Sequence, residues 1–250
     1  MKRSVGAISL ATLLGLVALP TRADETQVNQ VLDKAIKALG GRENLAKANA
    51  CTWKARGKVT IEGNENEFHG ESTVQGIDHF HSTFEGEFNG NPFKALTVLC
   101  GDKGWRKFGE IQEMNPDAVK NEKRTVYLMV VPTMVVPLKS KDFKVQFAAD
   151  EKINDKPVAT LKVTGPDGKD FTLSFDKESG LPVRMVARVA GWMGDEYVQE
   201  VHYSDYKDFG GLKRPTKIVV KRDGEPFVSQ EITEFQVLDK VPAETFAEPK

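Results

Sequence analysis

Apolar side chains at every second position, with polar ones between them, recur in widely separated stretches of this 250-residue chain. Phe80, Phe84 and Phe88 share one face of an extended segment with Ser82 and Gly86, while His79, His81, Thr83, Glu85 and Glu87 take the other. Phe143, Val145 and Phe147 repeat the pattern, as do Phe171, Leu173 and Phe175. A period of two describes antiparallel strands with one covered face and one wet face. Turn signals separate these runs, among them Glu62-Gly63-Asn64, Asn89-Gly90-Asn91-Pro92, Gly165-Pro166-Asp167-Gly168, Ser179-Gly180, Gly210-Gly211 and Arg222-Asp223-Gly224. Their spacing predicts a meander of hairpins with about eleven strands. No alternation of strand and helix calls for a parallel sheet, and no linker divides the chain, so one domain is expected.

Two stretches carry helical spacing instead. Val28, Val31, Leu32, Ala35, Ile36 and Leu39 predict a helix over 26–39, stopped by Gly40-Gly41, with a short helical turn around Glu43–Ala48 after it. Asn115, Pro116 and Asp117 form a helix start: a capping side chain, a proline at the first position and an early acid. Downstream, Val126–Leu138 reads VYLMVVPTMVVPL, without a charge. Val119, Val126, Tyr127 and Val130 make one stripe; Leu128, Met129 and Val131 make a second apolar surface. Pro132 and Pro137 are expected to break this helix and leave Met134, Val135 and Val136 in a loop or short extended piece. The segment reads either as a helix buried on several sides or as a flap over an apolar cavity, its methionines supplying adaptable contacts.

Charge narrows the function classes. Lys and Arg number 35 against 36 Asp and Glu, a balance that argues against nucleic acid as a partner. At the N-terminus, Lys2 and Arg3 precede an uncharged stretch, Ser4 to Thr21, followed by a small-residue site ending at Ala23. That order is a secretory signal peptide, residues 1–23, leaving a single domain over 24–250 with a net charge of −4. Export makes the environment oxidising. Cys51 and Cys100 then read either as a disulfide closing a loop of about 50 residues or as two free thiols.

Catalytic signatures are absent: no Gly-x-Ser-x-Gly elbow, no phosphate-binding loop, no His-Glu-x-x-His and no dinucleotide fingerprint. His79 and His81, with His69 on the preceding strand, offer imidazoles on one strand face, where solvated side chains are the commoner outcome and a structural metal site needs four ligands. Cys100 could act as a nucleophile only beside a histidine in space. Asp176, Glu178, Asp205 and Asp208 sit beside turns or strand ends, the ordinary place for solvated carboxylates. The sequence therefore implies neither an enzyme nor a cofactor.

The order of landmarks resembles a known family. A helix ending in Gly40-Gly41 precedes strands leading to Val98-Leu99-Cys100-Gly101-Asp102-Lys103-Gly104-Trp105; a helix and an apolar segment follow. Phe171-Thr172-Leu173-Ser174-Phe175-Asp176, Gly180-Leu181-Pro182-Val183, Tyr203-Ser204-Asp205-Tyr206 and Gly210-Gly211-Leu212-Lys213-Arg214-Pro215 come next, with Phe246 near Pro249. Over nearly all of 24–250 this is similar to the LolA-like outer-membrane lipoprotein-sorting superfamily. The resemblance implies an α+β fold, an unclosed antiparallel β-barrel with helices across its concave face. It also implies a periplasmic carrier, or a secreted one where there is no outer membrane. Its partners would be a lipid or acylated lipoprotein, with a membrane acceptor or an envelope protein beyond them.

Transfer of an acyl chain into an apolar cavity gains roughly 0.8 kcal/mol per methylene, so a cavity suffices without specific chemistry. The lining expected here is Phe80, Phe84, Phe88, Tyr127, Met129, Val130, Met134, Val135, Phe143, Phe147, Phe171 and Phe175. Trp105 is either a core anchor or part of that wall. The superfamily's carriers place an arginine early in the sheet to hold the lid helices; the matching stretch here, Gln75-Gly76-Ile77-Asp78, has none. The other reading is an envelope interaction or sensor module displaying Gly191-Trp192-Met193-Gly194 to a partner.

Overall fold

The structure is a computed structural model that describes residues 22–250 except Asn89, Trp192 and Met193, and omits the side chains of Arg22, Ala23 and Phe88. Residues 1–21 of the expected signal peptide, and Trp192 and Met193 of the expected display segment, thus lie outside the described residues. Helices α1 (Arg22–Ala38) and α2 (Arg42–Lys47) open the fold. Six strands follow: β1 (Ala50–Ile61), β2 (Asn64–Gln75), β3 (His79–Phe88), β4 (Asn91–Cys100), β5 (Lys103–Phe108) and β6 (Glu110–Glu113). Helix α3 (Pro116–Met134) and a 3-10 turn, Val136–Lys139, divide them from the rest. The second run is β7 (Lys144–Ile153), β8 (Lys156–Thr164), β9 (Asp170–Asp176), β10 (Pro182–Ala190), β11 (Glu196–Asp208), β12 (Lys213–Arg222) and β13 (Glu225–Val237).

All thirteen strands belong to one antiparallel sheet, ordered β6-β5-β4-β3-β2-β1-β13-β12-β11-β10-β9-β8-β7. Each half is a meander, and the two meet where β1 pairs with β13. The ends, β6 and β7, are not joined, so the sheet is an unclosed barrel wall of thirteen strands rather than eleven. Part of the difference is β6, whose four residues, Glu-Ile-Gln-Glu, are too short and too polar to alternate.

One face is covered by helices, and register shows which side chains it carries. Cys51 stands opposite Val74, Val74 opposite Phe80, and Phe80 opposite Leu99. These four pack together with Val119 and Val126 of α3. Helix α1 buries Val28, Leu32, Ala35 and Ile36, with Leu39 just after it, against the other half, where Leu161, Val163, Phe171, Leu173, Phe175 and Met185 form the largest core. Burial of such side chains contributes about 1.5–3 kcal/mol each before chain entropy is subtracted. Asn115 caps α3, its Oδ1 accepting from Ala118 N at 2.9 Å, and Pro116 takes the first position.

Pro132 does not end that helix. The proline forgoes its N–H bond to Leu128 O and crowds that carbonyl, yet the chain stays helical to Met134, with Val135 N–H donating to Val131 O at 2.8 Å. The break falls at Val135 (φ 59°, ψ −35°), close to the strained γ-turn region that β-branched residues avoid.

Cys51 and Cys100 are free thiols, which corrects the disulfide alternative. Cys51 lies on the helix-covered face of β1. Cys100 pairs with His79 on the opposite face of β4, against Ala50, Val241 and Phe246. Two intervening strands place them roughly 14 Å apart along the sheet, beyond bonding reach.

Gly40 joins the helical layer to the sheet. Its φ is +124°, and a Cβ there would meet Gly211 O at 2.1 Å, beside the bond from Lys213 N to Leu39 O at 3.0 Å. Gly40→Ala is predicted to cost roughly 2 kcal/mol or more, read as a lower urea midpoint with an unchanged slope.

Candidate functional site

The two halves of α3 are held differently. Its N-terminal half is fixed by charges: Glu122, buried, pairs with Arg106 of β5 at 2.7 Å. Arg124, also buried, reaches Asp167 Oδ2 at 2.9 Å, Arg188 O at 2.9 Å and Asp170 O at 3.0 Å, and contacts Tyr127 OH. Tyr127 OH donates to Asp167 Oδ1 at 2.8 Å. Among the described residues, no salt bridge ties α3 to the sheet beyond Arg124.

Under the C-terminal half lies an apolar cavity of about 120 Å³. Its roof is Met129, Val130, Thr133 and Met134; its floor is Cys51, Trp53, Val74, Ile218, Ile232 and Phe235, with Ala48, Gly76 and Ile77 at one side. The volume is on the order of that of a cavity known to accept benzene. One cation enters this lining. Arg214, 4% exposed, donates from Nη1 to Thr133 O at 2.7 Å and lays its guanidinium 4.8 Å from the Phe235 ring. The C-terminal end of a helix is its negative end, so the cation is favourably placed there.

Burial sets the electrostatics of the neighbouring groups. It pushes the Cys51 thiol up to about 11, against a smaller opposing effect of the Arg214 charge. It also raises Tyr206 well above its ordinary value and lowers Arg214. Cys51 and Tyr206 are therefore uncharged near neutrality.

Of the residues expected to line a cavity, Met129, Val130 and Met134 do so. Phe80 packs in the adjoining cluster with Val74 and Leu99. Tyr127, Val135, Phe143, Phe171 and Phe175 are buried in the larger core, with Phe147 packed against it; none of these lines the cavity. Phe147 and Phe175 border a separate groove beside α1. Phe84 stacks on Phe68 at 4.6 Å and meets Phe93, which meets Phe108. Phe88 lies on β3, with its side chain outside the described residues. Trp105 pairs with Val98 on the outer face, where both are buried, which makes it a core anchor and not cavity wall.

The histidines fall on that outer face as well. His69 faces Glu85 at 3.6 Å, and His79 Nδ1 lies 2.8 Å from Asp78. Among the described residues no three His, Cys, Asp or Glu side chains gather closely enough to hold a metal. Cys100 stands opposite His79 in register, but no hydrogen bond joins them among the described contacts. Arg214 is a site residue that the expected lining does not include. The available signal was its place in the alternation Leu212, Arg214, Thr216, Ile218, where a charge occupies a covered position.

This architecture is found in solved structures. A LolA superfamily protein from Nitrosomonas europaea superposes with a TM-score of 0.59 at 12% identity, over 88% of this chain and 97% of its own. The fold is that of the LolA superfamily. A DUF1329 family protein from Desulfovibrio piger superposes with a TM-score of 0.54 at 13% identity, over 88% of this chain and 97% of its own. A putative outer membrane lipoprotein-sorting protein domain from Vibrio parahaemolyticus does so with a TM-score of 0.51 at 10% identity, over 86% and 97%. No protein-family model and no curated protein matches the sequence.

Two predictions follow from the packing around α3. Arg124→Met leaves Asp167 without its cation and two carbonyls without a donor, and is predicted to cost about 3–5 kcal/mol in chemical denaturation. Cys51 ionises near its ordinary 9.0 when unfolded but near 11 when folded. Its contribution is present below pH 9 and lost as pH rises toward 11. Stability measured across that window should fall more steeply in wild type than in Cys51→Ala.

Proposed function

We propose that the protein is an envelope carrier that holds the acyl chain of a lipid or lipoprotein between α3 and the sheet. The observation that carries this reading is the apolar cavity under the C-terminal half of α3, the half without a salt bridge to the sheet. The secretory order of residues 1–23 supports export to the periplasm, with 24–250 as the mature domain. The Vibrio parahaemolyticus domain is described as putatively lipoprotein-sorting, which agrees with such a role. No described helix is long and apolar enough to cross a membrane.

A volume of about 120 Å³ holds part of an acyl chain. Seating a whole chain requires the C-terminal half of α3 to move outward. The cost is the contacts of Met129, Val130 and Met134, which a guest's methylenes replace in kind, and those of Leu128 and Val131 with the larger core. Each methylene contributes about 0.8 kcal/mol, and flexible methionines can repack against it.

Titration of the mature protein with a dansyl-labelled fatty acid tests the proposal. One saturable site is expected, with affinity reduced about tenfold or more by Met129→Asp, which places a carboxylate in the cavity roof. Circular dichroism should show that variant folded. Non-saturating binding, or binding indifferent to Met129→Asp, would contradict the reading. Val135 is unsuitable for this test because it is fully buried in the core, where an aspartate would unfold the domain.

A further inference from the structure

The cavity is not uniformly apolar, and its one cation is incompletely used. Arg214 spends Nη1 on Thr133 O and points Nη2 at Met134 Sδ, a weak acceptor. Its Nε is buried without a hydrogen-bond partner among the described residues. A guanidinium carries five N–H donors, so most of this one's capacity is unspent. No carboxylate forms a salt bridge with it among the described residues; its titratable neighbours, Cys51 and Tyr206, are both neutral at pH 7. A buried charge ordinarily has a counter-charge. The helix end supplies only partial compensation, through one carbonyl.

We propose that the cavity selects acyl chains by an anionic head, with the Arg214 guanidinium receiving a carboxylate or phosphate while the surrounding apolar wall takes the chain. The Nε–H is enclosed as the structure stands; once the C-terminal half of α3 moves outward to seat a chain, it and a second N–H along one edge of the guanidinium suit the two-oxygen geometry of either anion. Trp53, Ile232, Met129 and Phe235 line the space the adjoining methylenes would enter. The inference rests on the acyl-carrier reading and adds to it the class of guest: a single-chain amphiphile that brings its own negative charge.

Calorimetric titration of the mature protein with four C16 chains below their micellar concentrations tests this: palmitate, hexadecyl phosphate, hexadecanol and hexadecyltrimethylammonium. Palmitate or hexadecyl phosphate should bind about tenfold or more tighter than hexadecanol, the range expected for a hydrogen bond to a charged group. The ammonium should bind most weakly, and the better of the two anions identifies the head. Arg214→Met should bring palmitate to the affinity of hexadecanol, and Arg214→Lys should restore part of the difference. Equal affinity of wild type for all four chains overturns the head-group assignment while leaving the carrier reading standing. Binding of none of them overturns both. If Arg214→Met fails to fold, the wild-type series decides alone, since an arginine serving only as a helix cap gives no head-group preference.

Discussion

The apolar face of a thirteen-strand antiparallel sheet has to be covered, and the rest of the structure follows from how incompletely three helices do it. Helix α1 covers the β7 to β11 half, where Leu161, Phe171, Leu173 and Phe175 close into a dense core. The other half relies on α3, whose 19 residues span about 28 Å. Its first turns are pinned by Glu122–Arg106 and Arg124–Asp167. The remainder bridges toward β12 and β13 and leaves a hollow beneath it. A buried ion pair adds little net stability but fixes geometry, because breaking it leaves an unpaired charge inside. The pinned half thus sets where the C-terminal half lies over the sheet.

Apolar packing and electrostatics meet at the end of α3. Val135 turns the chain with a strained backbone, so the helix stops where Arg214 can reach a carbonyl of its last turn. The guanidinium therefore bonds the roof and faces the interior at once. In a low-dielectric wall such a charge interacts strongly with whatever enters. An apolar hollow alone would accept any chain of suitable length; the role proposed for the cation in its lining is to distinguish chains by their heads.

Much of this fold was legible in the sequence. The Phe80/Phe84 and Phe171/Phe175 alternations name the covered faces of β3 and β9, and Asn115-Pro116 and Gly40-Gly41 mark helix ends. What escaped depends on tertiary placement. The opposed faces of Cys51 and Cys100 follow from the registers of three successive hairpins, which no single turn motif specifies. Pro132 ends nothing because one lost hydrogen bond in a final turn is outweighed by the burial of Val131 and Met134. The aromatic face was read as one lining, yet it divides into a filled core, a row of stacked rings and a cavity wall, according to where α1 and α3 lie. Arg214 escaped for the same reason: its partners are on a helix some 80 residues away.

An acyl chain held between α3 and the sheet, as proposed, would lie against Trp53, which is placed to report it. Trp53 lines the cavity, whereas Trp105 is buried on the opposite face. Quenching of each tryptophan by a bromine-labelled fatty acid can be measured in variants keeping only Trp53 or only Trp105. Saturable quenching of Trp53 and little of Trp105 is expected. Equal quenching of both, or none of Trp53, would contradict it.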